Sequence, residues 1–424
     1  MKKYPTMFGL ADGNNFFVSC ERVFQPSLCG KPVVVLSSND GCVIARSNEA
    51  KVLGIKMGVP VLHVKDIIWK YGVKVFSTNL ELYGDMSERM IYFLYSMVSE
   101  VDVYSIDEAF LNLSSYQHLD LREYGLEIVR KTSRGTGLPI SLGIAPTKTL
   151  AKIANYFAKR YAGYKSVCVI DSEEKRIKAL QLVPIDKVWG VGRQHFKFLQ
   201  HYNVKTAYDF SLLPRNWVRG HMTVVGERMW CELQGEACIE MELVPLPKKQ
   251  ICNSGSFGED VTNLEGLKAA VATFADRGAV KLRKQGSCAS VMSVFIHTNR
   301  FKENFYFRHF INPLPVATNS SLVIVKTAIR FLKEIYQKGY SYKKAGVILS
   351  GLSSEGSVQL DMFDGYDYSK HTQLMKQVDC LNRKGRSLVS LAVKGDADCK
   401  FHYKQEHRSN RYTTNVKELL RIKC

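Results

Sequence analysis

The chain has 424 residues, of which 46% are hydrophobic, and a formal net charge of +19. This length exceeds what one hydrophobic core usually organises, so two to four domains are expected, and the apolar content excludes a disordered chain. A run of about 18 apolar residues, which could span a bilayer, occurs nowhere, so we expect a soluble cytoplasmic protein with no membrane partner.

Lysine and arginine residues occur in every segment of the chain rather than in one amphipathic helix. This distribution favours an extended groove that follows the phosphate backbone of a nucleic acid. A solvated basic surface or a membrane-facing patch would also raise the pI to about 9.3, so composition leaves these alternatives open. The eleven cysteines show no CxxC spacing, which argues against a zinc site and a disulfide framework.

The chain up to residue 170 has the mixed pattern of an α/β domain. Apolar stretches predict strands at 7–11, 32–36, 42–45, 101–106, 109–113, 140–144 and 167–170. Apolar residues at helical spacing predict helices at 80–98, 121–132 and 148–161.

A helical segment follows, and then a second α/β domain. The stretch from Ser172 to Leu233 lacks clear strand patterns, and the proline- and lysine-rich residues 243–249 predict a linker. Beyond the linker, strands are predicted at 290–297, 304–310 and 344–349, and helices at 264–285 and 321–338. Residues 361–424 are polar and basic, with no clear pattern. The fold class is therefore multidomain α/β (α+β).

Isolated carboxylates stand out in this basic chain. If 101–106 and 109–113 form a hairpin, Asp107 and Glu108 are its two-residue tip and project together. A neighbouring strand that ends at Asp12 would add a third carboxylate, next to the unobstructed carbonyl of Gly13. Such a set suits two Mg²⁺ ions about 3.5–4 Å apart. An ordinary solvated turn, and a helix N-cap at Asp12, are the alternatives that the pattern leaves open.

Two motifs carry a resemblance to a known family. Residues 10–21 (LADGNNFFVSCE) and 104–110 (YSIDEAF) closely resemble the two palm motifs of the Y-family, or translesion, DNA polymerases. Residues 39–51 (NDGCVIARSNEAK) resemble the fingers motif of the UmuC group, the catalytic subunits of DNA polymerase V. The resemblance covers nearly the whole chain.

The resemblance implies a right-hand polymerase. Its palm would comprise 1–15 and 78–170, and its fingers 16–77. A helical thumb with a helix-hairpin-helix would follow at 171–240. A separate α/β little finger that grips duplex DNA would occupy 245–355, with basic residues that include Lys281, Arg283, Lys284, Arg300, Lys302 and Arg308. A C-terminal clamp-binding peptide and a UmuC-type extension would occupy 356–424.

By the same resemblance, Asp12, Asp107 and Glu108 are the catalytic acids that hold two Mg²⁺ ions together with the carbonyl of Gly13. Phe17 would be the steric gate, a ring under the deoxyribose that leaves no room for a 2′-hydroxyl. The family has Tyr or Phe at this position.

Further nucleotide-binding residues are implied at Phe16, Asn48, Lys51 and Lys152. Lys51 stands at the position of a phosphate-binding Arg or Lys, and Asn48 stands where many relatives carry tyrosine. Lys148, Lys152 and Lys159 recur at helical spacing and predict one basic stripe on helix 148–161. Lys152 matches the family lysine that meets the β and γ phosphates, whereas Lys148 and Lys159 are expected to be solvated.

The segment Gly190, Val191, Gly192, Arg193 joins two predicted helices. Its glycines would let backbone N–H groups approach a DNA phosphate at a helix N-terminus, and an ordinary structural turn is the alternative. Its place after a polymerase-like palm resembles the family's thumb, which implies a DNA contact.

The C-terminal part contains one short motif. It resembles the peptide by which bacterial polymerases bind the sliding clamp, and its residues are Gln359, Leu360, Met362 and Phe363. An apolar end of a disordered tail is the alternative. By analogy with the UmuC-type extension, the following residues would bind a UmuD′-like dimer and a recombinase filament.

The sequence thus predicts an error-prone translesion DNA polymerase of the bacterial nucleoid. It would add dNTPs to a primer-template opposite damaged bases by two-metal-ion nucleotidyl transfer, in SOS-type DNA damage tolerance. A catalytically inactive DNA- and clamp-binding scaffold of the same fold is the alternative. A palm-domain nucleotide cyclase would have no use for the thumb or the clamp peptide.

Overall fold

The computed structural model of the chain describes residues 5–358, 368–383, 388–395 and 404–420. They form two compact units. The first unit consists of Met1–Pro245 and Glu406–Cys424, and the second of Leu246–Gln405. The first unit is therefore discontinuous in sequence, and the extension predicted at 356–424 is divided between the two units.

The first unit contains eight strands and ten α-helices within its described residues. The strands are β1 (Phe8–Gly13), β2 (Val33–Leu36), β3 (Val43–Arg46), β4 (Lys74–Ser77), β5 (Val101–Val103), β6 (Glu108–Asn112), β7 (Ile140–Ala145) and β8 (Val167–Val169). The helices are α1 (Phe16–Phe24), α2 (Asn48–Val52), α3 (Lys65–Lys70), α4 (Leu80–Tyr95), α5 (Leu121–Thr136), α6 (Lys148–Arg160), α7 (Glu173–Leu182), α8 (Arg193–His201), α9 (Ala207–Ser211) and α10 (Arg215–Leu233). Every predicted strand and helix of this part is present, and the prediction missed β4 and α1 to α3.

A five-stranded sheet in the order β5-β6-β1-β7-β8 organises the first unit. Its central strand, β1, is antiparallel to both β6 and β7. Ala11 packs in the core that contains α4 and α5, whereas Phe8 and Leu10 pack in the core that contains α6. Because side chains alternate along a strand, Asp12 faces the α6 side, like Leu10.

Helix α6 lies directly on this sheet. A Cβ atom at Gly143 of β7 would collide with the backbone of Ala151 and Asn155, so the helix can approach this closely only over glycine. The Asn155 amide also donates hydrogen bonds to the carbonyl oxygens of Leu10 (3.1 Å) and Ser141 (3.0 Å). These contacts determine the height and rotation of α6 above β1.

The expectation that Lys148 is solvated is wrong. Its ammonium lies 2.6 Å from the Asp102 carboxylate and 2.7 Å from the Glu240 carbonyl oxygen. Only 4% of the Lys148 side chain and 9% of the Asp102 side chain are exposed. Lys148 begins α6 and its side chain reaches β5, so the stripe of three lysines contains one that is structural.

A second, three-stranded sheet has the order β3-β2-β4, with β2 parallel to β4. It forms its own small core with residues that include Val34, Leu36 and Val43. Ser47 is buried and accepts a hydrogen bond from the Ala50 N–H, so it caps α2.

The segment from Glu173 to Leu233 is described without gaps and contains no strand, as the sequence predicts. A single antiparallel bridge joins Pro184 and Thr206. Helix α9 packs against α7 and α10, and these two helices pack against α6. The unit thus continues from the sheet into a helical subdomain.

The second unit packs two helices on one four-stranded antiparallel sheet. Its elements are β9 (Ile251–Val261), α11 (Leu264–Gln285), β10 (Ser287–Thr298), β11 (Phe307–Thr318), α12 (Ser321–Ile335), β12 (Tyr342–Ser354) and α13 (Tyr368–Arg383). The sheet order is β11-β10-β12-β9. Strand β11 begins and ends later than the predicted strand at 304–310, and β9 was not predicted.

Some cations of the second unit have acidic partners within the unit. Arg283 of α11 binds the Asp379 carboxylate of α13 through Nε (2.7 Å) and Nη2 (2.8 Å). Lys302 lies 3.3 Å from Asp260. Arg283 is therefore a structural residue that holds α13, and it is not a free cation for a DNA backbone.

None of the helices among the described residues is long and apolar enough to cross a membrane. The motif residues Gln359, Leu360, Met362 and Phe363 lie outside the described residues.

The buried Lys148–Asp102 pair allows a stability test. We expect Lys148→Met to lower the free energy of unfolding of the first unit by about 3–5 kcal/mol, because it leaves a buried carboxylate without its cation. Lys131→Met is the matched control, since its pair with Glu127 is exposed and should contribute little. All four tryptophans lie in the first unit, so urea unfolding followed by tryptophan fluorescence reports on that unit alone. Equal effects of the two variants would contradict the structural role of Lys148.

Candidate active site

The pairing of β1 with β6 brings the three predicted catalytic acids together where β1 ends and β6 begins. Asp12 and Glu108 are direct partners in the antiparallel register, so their side chains share a face. The Gly13 N–H donates to the Asp107 carbonyl oxygen at 2.8 Å. Residues nearly one hundred positions apart in the chain therefore become neighbours.

The hairpin differs from the predicted one at its tip. Glu108 is already the first residue of β6, and the connection consists of residues 104–107. Ser105 shapes this turn, because its hydroxyl oxygen accepts from the N–H groups of Asp107 (3.3 Å) and Glu108 (3.0 Å). The same hydroxyl donates to Asp107 Oδ1 at 2.6 Å. Ser105 thus orients a candidate metal ligand, a role that the sequence analysis missed.

Two lysines of α6 are paired with these acids. Lys159 lies 2.5 Å from Asp12 Oδ2, and Lys152 lies 2.8 Å from Glu108 Oε2. The expectation that Lys159 is solvated is wrong, since two-thirds of its side chain is covered and its ammonium is bound. The Lys152 ammonium also lies 4.4 Å from the ring centroid of Tyr104. The two lysines are seven residues apart, and so they share one face of the helix.

Burial makes the Asp12 carboxylate costly to ionise. Desolvation raises the pKa of Asp12 to about 7, Lys159 acts in the opposite direction, and the negative charges of Glu108 and Asp107 add to the rise. A site that crowds several carboxylates in this way needs cations to keep them charged.

The residues present fit hard divalent cations in their chemistry. Carboxylate and carbonyl oxygens are the ligands of Mg²⁺, and the site offers Asp12, Asp107 and Glu108 with the backbone of Gly13. In the arrangement described here, lysines occupy Asp12 and Glu108. Among the described residues, no three His, Cys, Asp or Glu side chains surround a common point as metal ligands would.

A cavity of about 320 Å³ opens beside these acids. Its lining combines the end of β1, the start of α1, strand β3 and cationic side chains. The residues are Asp12, Gly13, Asn15, Phe16, Phe17, Ile44, Ala45, Arg46, Lys51, Met57, Asp107 and Lys159. Both acids and cations therefore face one space of the size of a small ligand site.

Gly13 is required by the packing of Phe16. A Cβ atom at Gly13 would lie 2.7 Å from Cδ2 of the Phe16 ring, which is closer than carbon atoms normally approach. Phe16 itself is buried, so its ring forms the floor of the cavity, and little of it is open to a ligand. The predicted nucleotide contact of Phe16 is accordingly limited to the edge that lines the cavity.

The Phe17 ring stacks on Tyr83 of α4. Their ring centroids are 4.5 Å apart and their planes differ by 15°. Tyr83 is fully buried, so it is a fixed support beneath Phe17. The predicted steric gate is thus a rigid wall of the cavity.

Lys51 and Asn48 lie together, joined by Asn15. The Lys51 ammonium donates to the side-chain oxygens of Asn15 (2.6 Å) and Asn48 (3.1 Å), and the Asn15 amide donates to Asn48 (3.2 Å). Asn15 has a left-handed backbone (φ 47°) at the N-terminus of α1. The sequence analysis missed Asn15, although asparagine is one of the residue types enriched in this conformation.

Several cations surround Lys51. Desolvation lowers the pKa of Lys51, and the charges of Arg46, Lys159 and Arg160 lower it further. Cations that repel one another at the mouth of a cavity favour a polyanionic ligand, because a ligand such as a triphosphate would relieve the repulsion. Arg46 was not predicted as a site residue, although it lies in the fingers-like motif.

The predicted DNA-binding turn is present. Gly190 has φ 97°, and Gly192 precedes the first turn of α8, which begins at Arg193. Gly192 has no side chain that could cap the helix, so the first N–H groups of α8 lack a side-chain acceptor from the cap position. The predicted short helix before the turn is a 3-10 helix, Ile185–Lys187.

Family models match most of the chain. The model of the impB/mucB/samB family matches residues 11–156, and the model of that family's C-terminal domain matches residues 248–362. The chain belongs to the impB/mucB/samB family. A domain of unknown function (DUF4113) matches residues 372–422. The first match contains all the candidate catalytic acids.

Relatives of this impB/mucB/samB family member align along almost the full chain. It is 42% identical to protein UmuC of Salmonella typhimurium over 98% of this chain and 100% of the relative. It is 36% identical to protein MucB of Escherichia coli, over 97% and 99%. It is 28% identical to DNA polymerase IV of Corynebacterium diphtheriae, over 80% and 74%. The identification as a UmuC-type member of the Y-family is confirmed.

Solved structures share the fold. A Y-family DNA polymerase chimera, Dbh-Dpo4(243-245)-Dbh, superposes with a TM-score of 0.65 at 20% identity, over 82% of this chain and 99% of the chimera. An insertion ternary complex of Dbh DNA polymerase gives a TM-score of 0.54 at 18% identity. The predicted fold class, a multidomain α/β right-hand polymerase, is confirmed.

The packing of Phe16 over Gly13 generates a prediction. We expect Gly13→Ala to destabilise the first unit by about 1–3 kcal/mol, because the added methyl group must displace a buried ring. Gly84→Ala is the control, since a Cβ atom there meets no neighbour within 4 Å and alanine favours the helix. The measurement is again urea unfolding followed by tryptophan fluorescence. If Gly13→Ala unfolded at the same midpoint urea concentration as the wild type, the Phe16 ring would be able to move without loss of stability.

Proposed function

We propose that this chain is a DNA-directed DNA polymerase of the UmuC type, which adds dNTPs to a primer opposite damaged template bases, with low fidelity, in SOS-type DNA damage tolerance. The observation that carries the proposal is the meeting of Asp12, Asp107 and Glu108 where β1 pairs with β6, with Asp12 and Asp107 lining the cavity that Phe17 walls. The printed names of the relatives, UmuC and DNA polymerase IV, support the same activity.

In this proposal Asp12, Asp107, Glu108 and the Gly13 carbonyl would hold two Mg²⁺ ions, which would neutralise the triphosphate and favour ionisation of the primer hydroxyl. Ser105 keeps the Asp107 carboxylate oriented through its hydrogen bond. The remaining steps depend on the chain's own cations and rings.

Lys152 and Lys159 balance the charge of the acids when no nucleotide is bound. An incoming triphosphate offers oxygens that compete for both ammonium groups, so the lysines transfer from Glu108 and Asp12 to phosphate. Lys51, supported by Asn15 and Asn48, contacts the triphosphate from the opposite side of the cavity. Entry of the nucleotide would thereby free the carboxylates of Glu108 and Asp12 from their lysine partners.

Phe17 selects the sugar. Its ring cannot move towards Tyr83, on which it is stacked, so a 2′-hydroxyl placed against it would clash. Ala45 is a small residue on the fingers side of the cavity, and it leaves room around the nascent base pair. Ser47, another small residue of this part, is buried as the N-cap of α2 and adds no such room.

The proposed partners are DNA and proteins of the replication machinery. The turn at Gly190–Arg193 would bind a primer-template phosphate without reading sequence. The peptide at 359–363 would bind the sliding clamp, and the UmuC-type extension would bind a UmuD′-like dimer and a recombinase filament.

Loss of the acids should abolish synthesis. We expect Asp107→Asn combined with Glu108→Gln to lower primer extension with Mg²⁺ and dNTPs by at least about 100-fold, because removal of one electrostatic group from an active site typically costs 10²–10³-fold. Glu123→Gln combined with Glu127→Gln, on the exposed face of α5, is the charge-matched control.

Full extension by the double acid variant would refute the metal assignment. A wild-type chain that binds primer-template in a salt-dependent manner, but never extends it, would instead identify the non-catalytic scaffold.

Replacement of the gate should change sugar selection. We expect Phe17→Ala to lower the ratio of kcat/KM for dNTP over kcat/KM for rNTP by at least about tenfold, because the lost ring removes a clash rather than a binding contact. Tyr92→Ala removes an exposed ring from α4, outside the cavity, and serves as the control. An unchanged ratio in Phe17→Ala would remove Phe17 from the mechanism.

A further inference from the structure

Residues 406–420, here called the C-terminal segment, belong to the first unit and lie near the support of Phe17. Ser77 N–H donates to the His407 carbonyl oxygen at 3.0 Å, and His407 N–H donates to the Ser77 hydroxyl at 3.0 Å. The side chain of Asn79, fully buried at the start of α4, donates to the carbonyl oxygens of Ser409 (3.1 Å) and Asn410 (3.2 Å). The segment therefore follows the beginning of the helix that carries Tyr83.

An aromatic anchor holds the segment against α1. The ring of Tyr412 stacks on Phe24 with 4.8 Å between centroids and 12° between planes. Its hydroxyl accepts a hydrogen bond from the Gln25 amide at 3.0 Å. Tyr412 is 8% exposed and belongs to the core of the first unit. The segment is thus packed into this unit as an integral part.

Ion pairs brace the segment at its outer side. The Arg411 guanidinium lies 2.6 Å from Glu418, within the segment, and 3.3 Å from Glu81 of α4. Arg408 lies 3.2 Å from the same Glu81 carboxylate. These exposed pairs contribute little energy individually, but they restrict the position of Ser409 between them.

A buried carboxylate links the segment to the gate. Oε1 of Glu21, a fully buried residue of α1, accepts from the Tyr83 hydroxyl at 2.7 Å and from the Ser409 hydroxyl at 2.9 Å. The second oxygen of Glu21 has no hydrogen-bond partner among the described residues. Burial raises the pKa of Glu21, and both hydroxyl donors counteract that rise. Among the described residues, Ser409 is therefore one of two side chains that donate to this carboxyl.

The links form a continuous path to the nucleotide cavity. Ser409 binds Glu21, Glu21 holds the hydroxyl of Tyr83, and the Tyr83 ring supports Phe17. A buried acceptor that loses one of its donors must find another or shift. A shift of Glu21 would act on the Tyr83 hydroxyl, and the Tyr83 ring is the surface on which Phe17 is stacked.

We propose that Ser409 of the C-terminal segment is a positioning residue for sugar selection, because it holds Phe17 in place through Glu21 and Tyr83. The proposal rests on the proposed polymerase function and extends it, since it assigns part of the specificity to a residue that lies nearly four hundred positions beyond the gate. Neither Ser409 nor Glu21 lines the cavity, so neither is a catalytic residue.

The test measures the ratio of kcat/KM for dNTP over rNTP in the full chain. We expect Ser409→Ala to lower the ratio about three- to tenfold, the range that one hydrogen bond supports. Ser409→Thr, which keeps a hydroxyl, should retain the wild-type ratio. Thr414→Ala removes an exposed hydroxyl from the same segment and is the matched control.

Combining Ser409→Ala with Phe17→Ala distinguishes a positioning role of Ser409 from a general disturbance of the active site. On the Phe17→Ala background, Ser409→Ala should cause no further loss of selectivity, because the ring through which it acts is absent. An unchanged ratio in Ser409→Ala, while Phe17→Ala changes it, overturns this proposal and leaves the polymerase function standing. If Ser409→Ala lowers the ratio on the Phe17→Ala background as much as it does in the wild-type chain, the proposal is overturned as well.

Amide hydrogen exchange gives a second measurement that needs no catalysis. Ser409→Ala should speed exchange at α1 and at the first turns of α4 more than Thr414→Ala does, while the second unit is unaffected. Equal exchange in both variants overturns the coupling between the segment and Phe17, even if the chain extends no primer. Tyr83→Phe, which keeps the ring and removes the other hydroxyl donor, should reproduce the effect of Ser409→Ala.

Discussion

The antiparallel pairing of β1 with β6 is the constraint on which the site depends. It makes Asp12 and Glu108 direct neighbours, and the hydrogen bond from Gly13 to Asp107 brings in the third acid. Because β1 is central and its side chains alternate, one face builds the core while the other directs a carboxylate at α6. A shift of this register by one residue would reverse these faces and separate the acids.

Charge balance follows from the packing of α6 on that sheet. The close approach at Gly143 and the two hydrogen bonds of Asn155 place Lys152 and Lys159 opposite the acids. The same helix begins with Lys148, whose buried pair with Asp102 fixes its first turn. One helix therefore provides a structural cation that is almost fully buried and two cations that are more exposed and are paired with the acids.

Much of this arrangement could be predicted from local pattern, and the remainder depends on contacts that pattern does not encode. Strands were predictable because apolar residues alternate, and the acids were found because they interrupt such strands. The start of β6 at Glu108 was not predictable in this way, since hydrogen bonds of Ser105 set it. Helical spacing put Lys148 and Lys159 on one stripe, but their partners lie at distant positions. The C-terminal segment has almost no regular structure of its own and is ordered by residues such as Asn79, about 330 positions earlier.

The discontinuity of the first unit has a consequence for how the molecule is made. A ribosome completes Met1–Pro245 long before Tyr412 and Ser409 emerge, because Leu246–Gln405 comes in between. At 5–20 residues per second, that interval is roughly ten to thirty seconds. During it, the nascent amino-terminal part carries Phe24 without its stacking partner and Glu21 with one donor fewer. Translation order itself therefore delays the complete packing of α1 until Ser409 and Tyr412 have been synthesised.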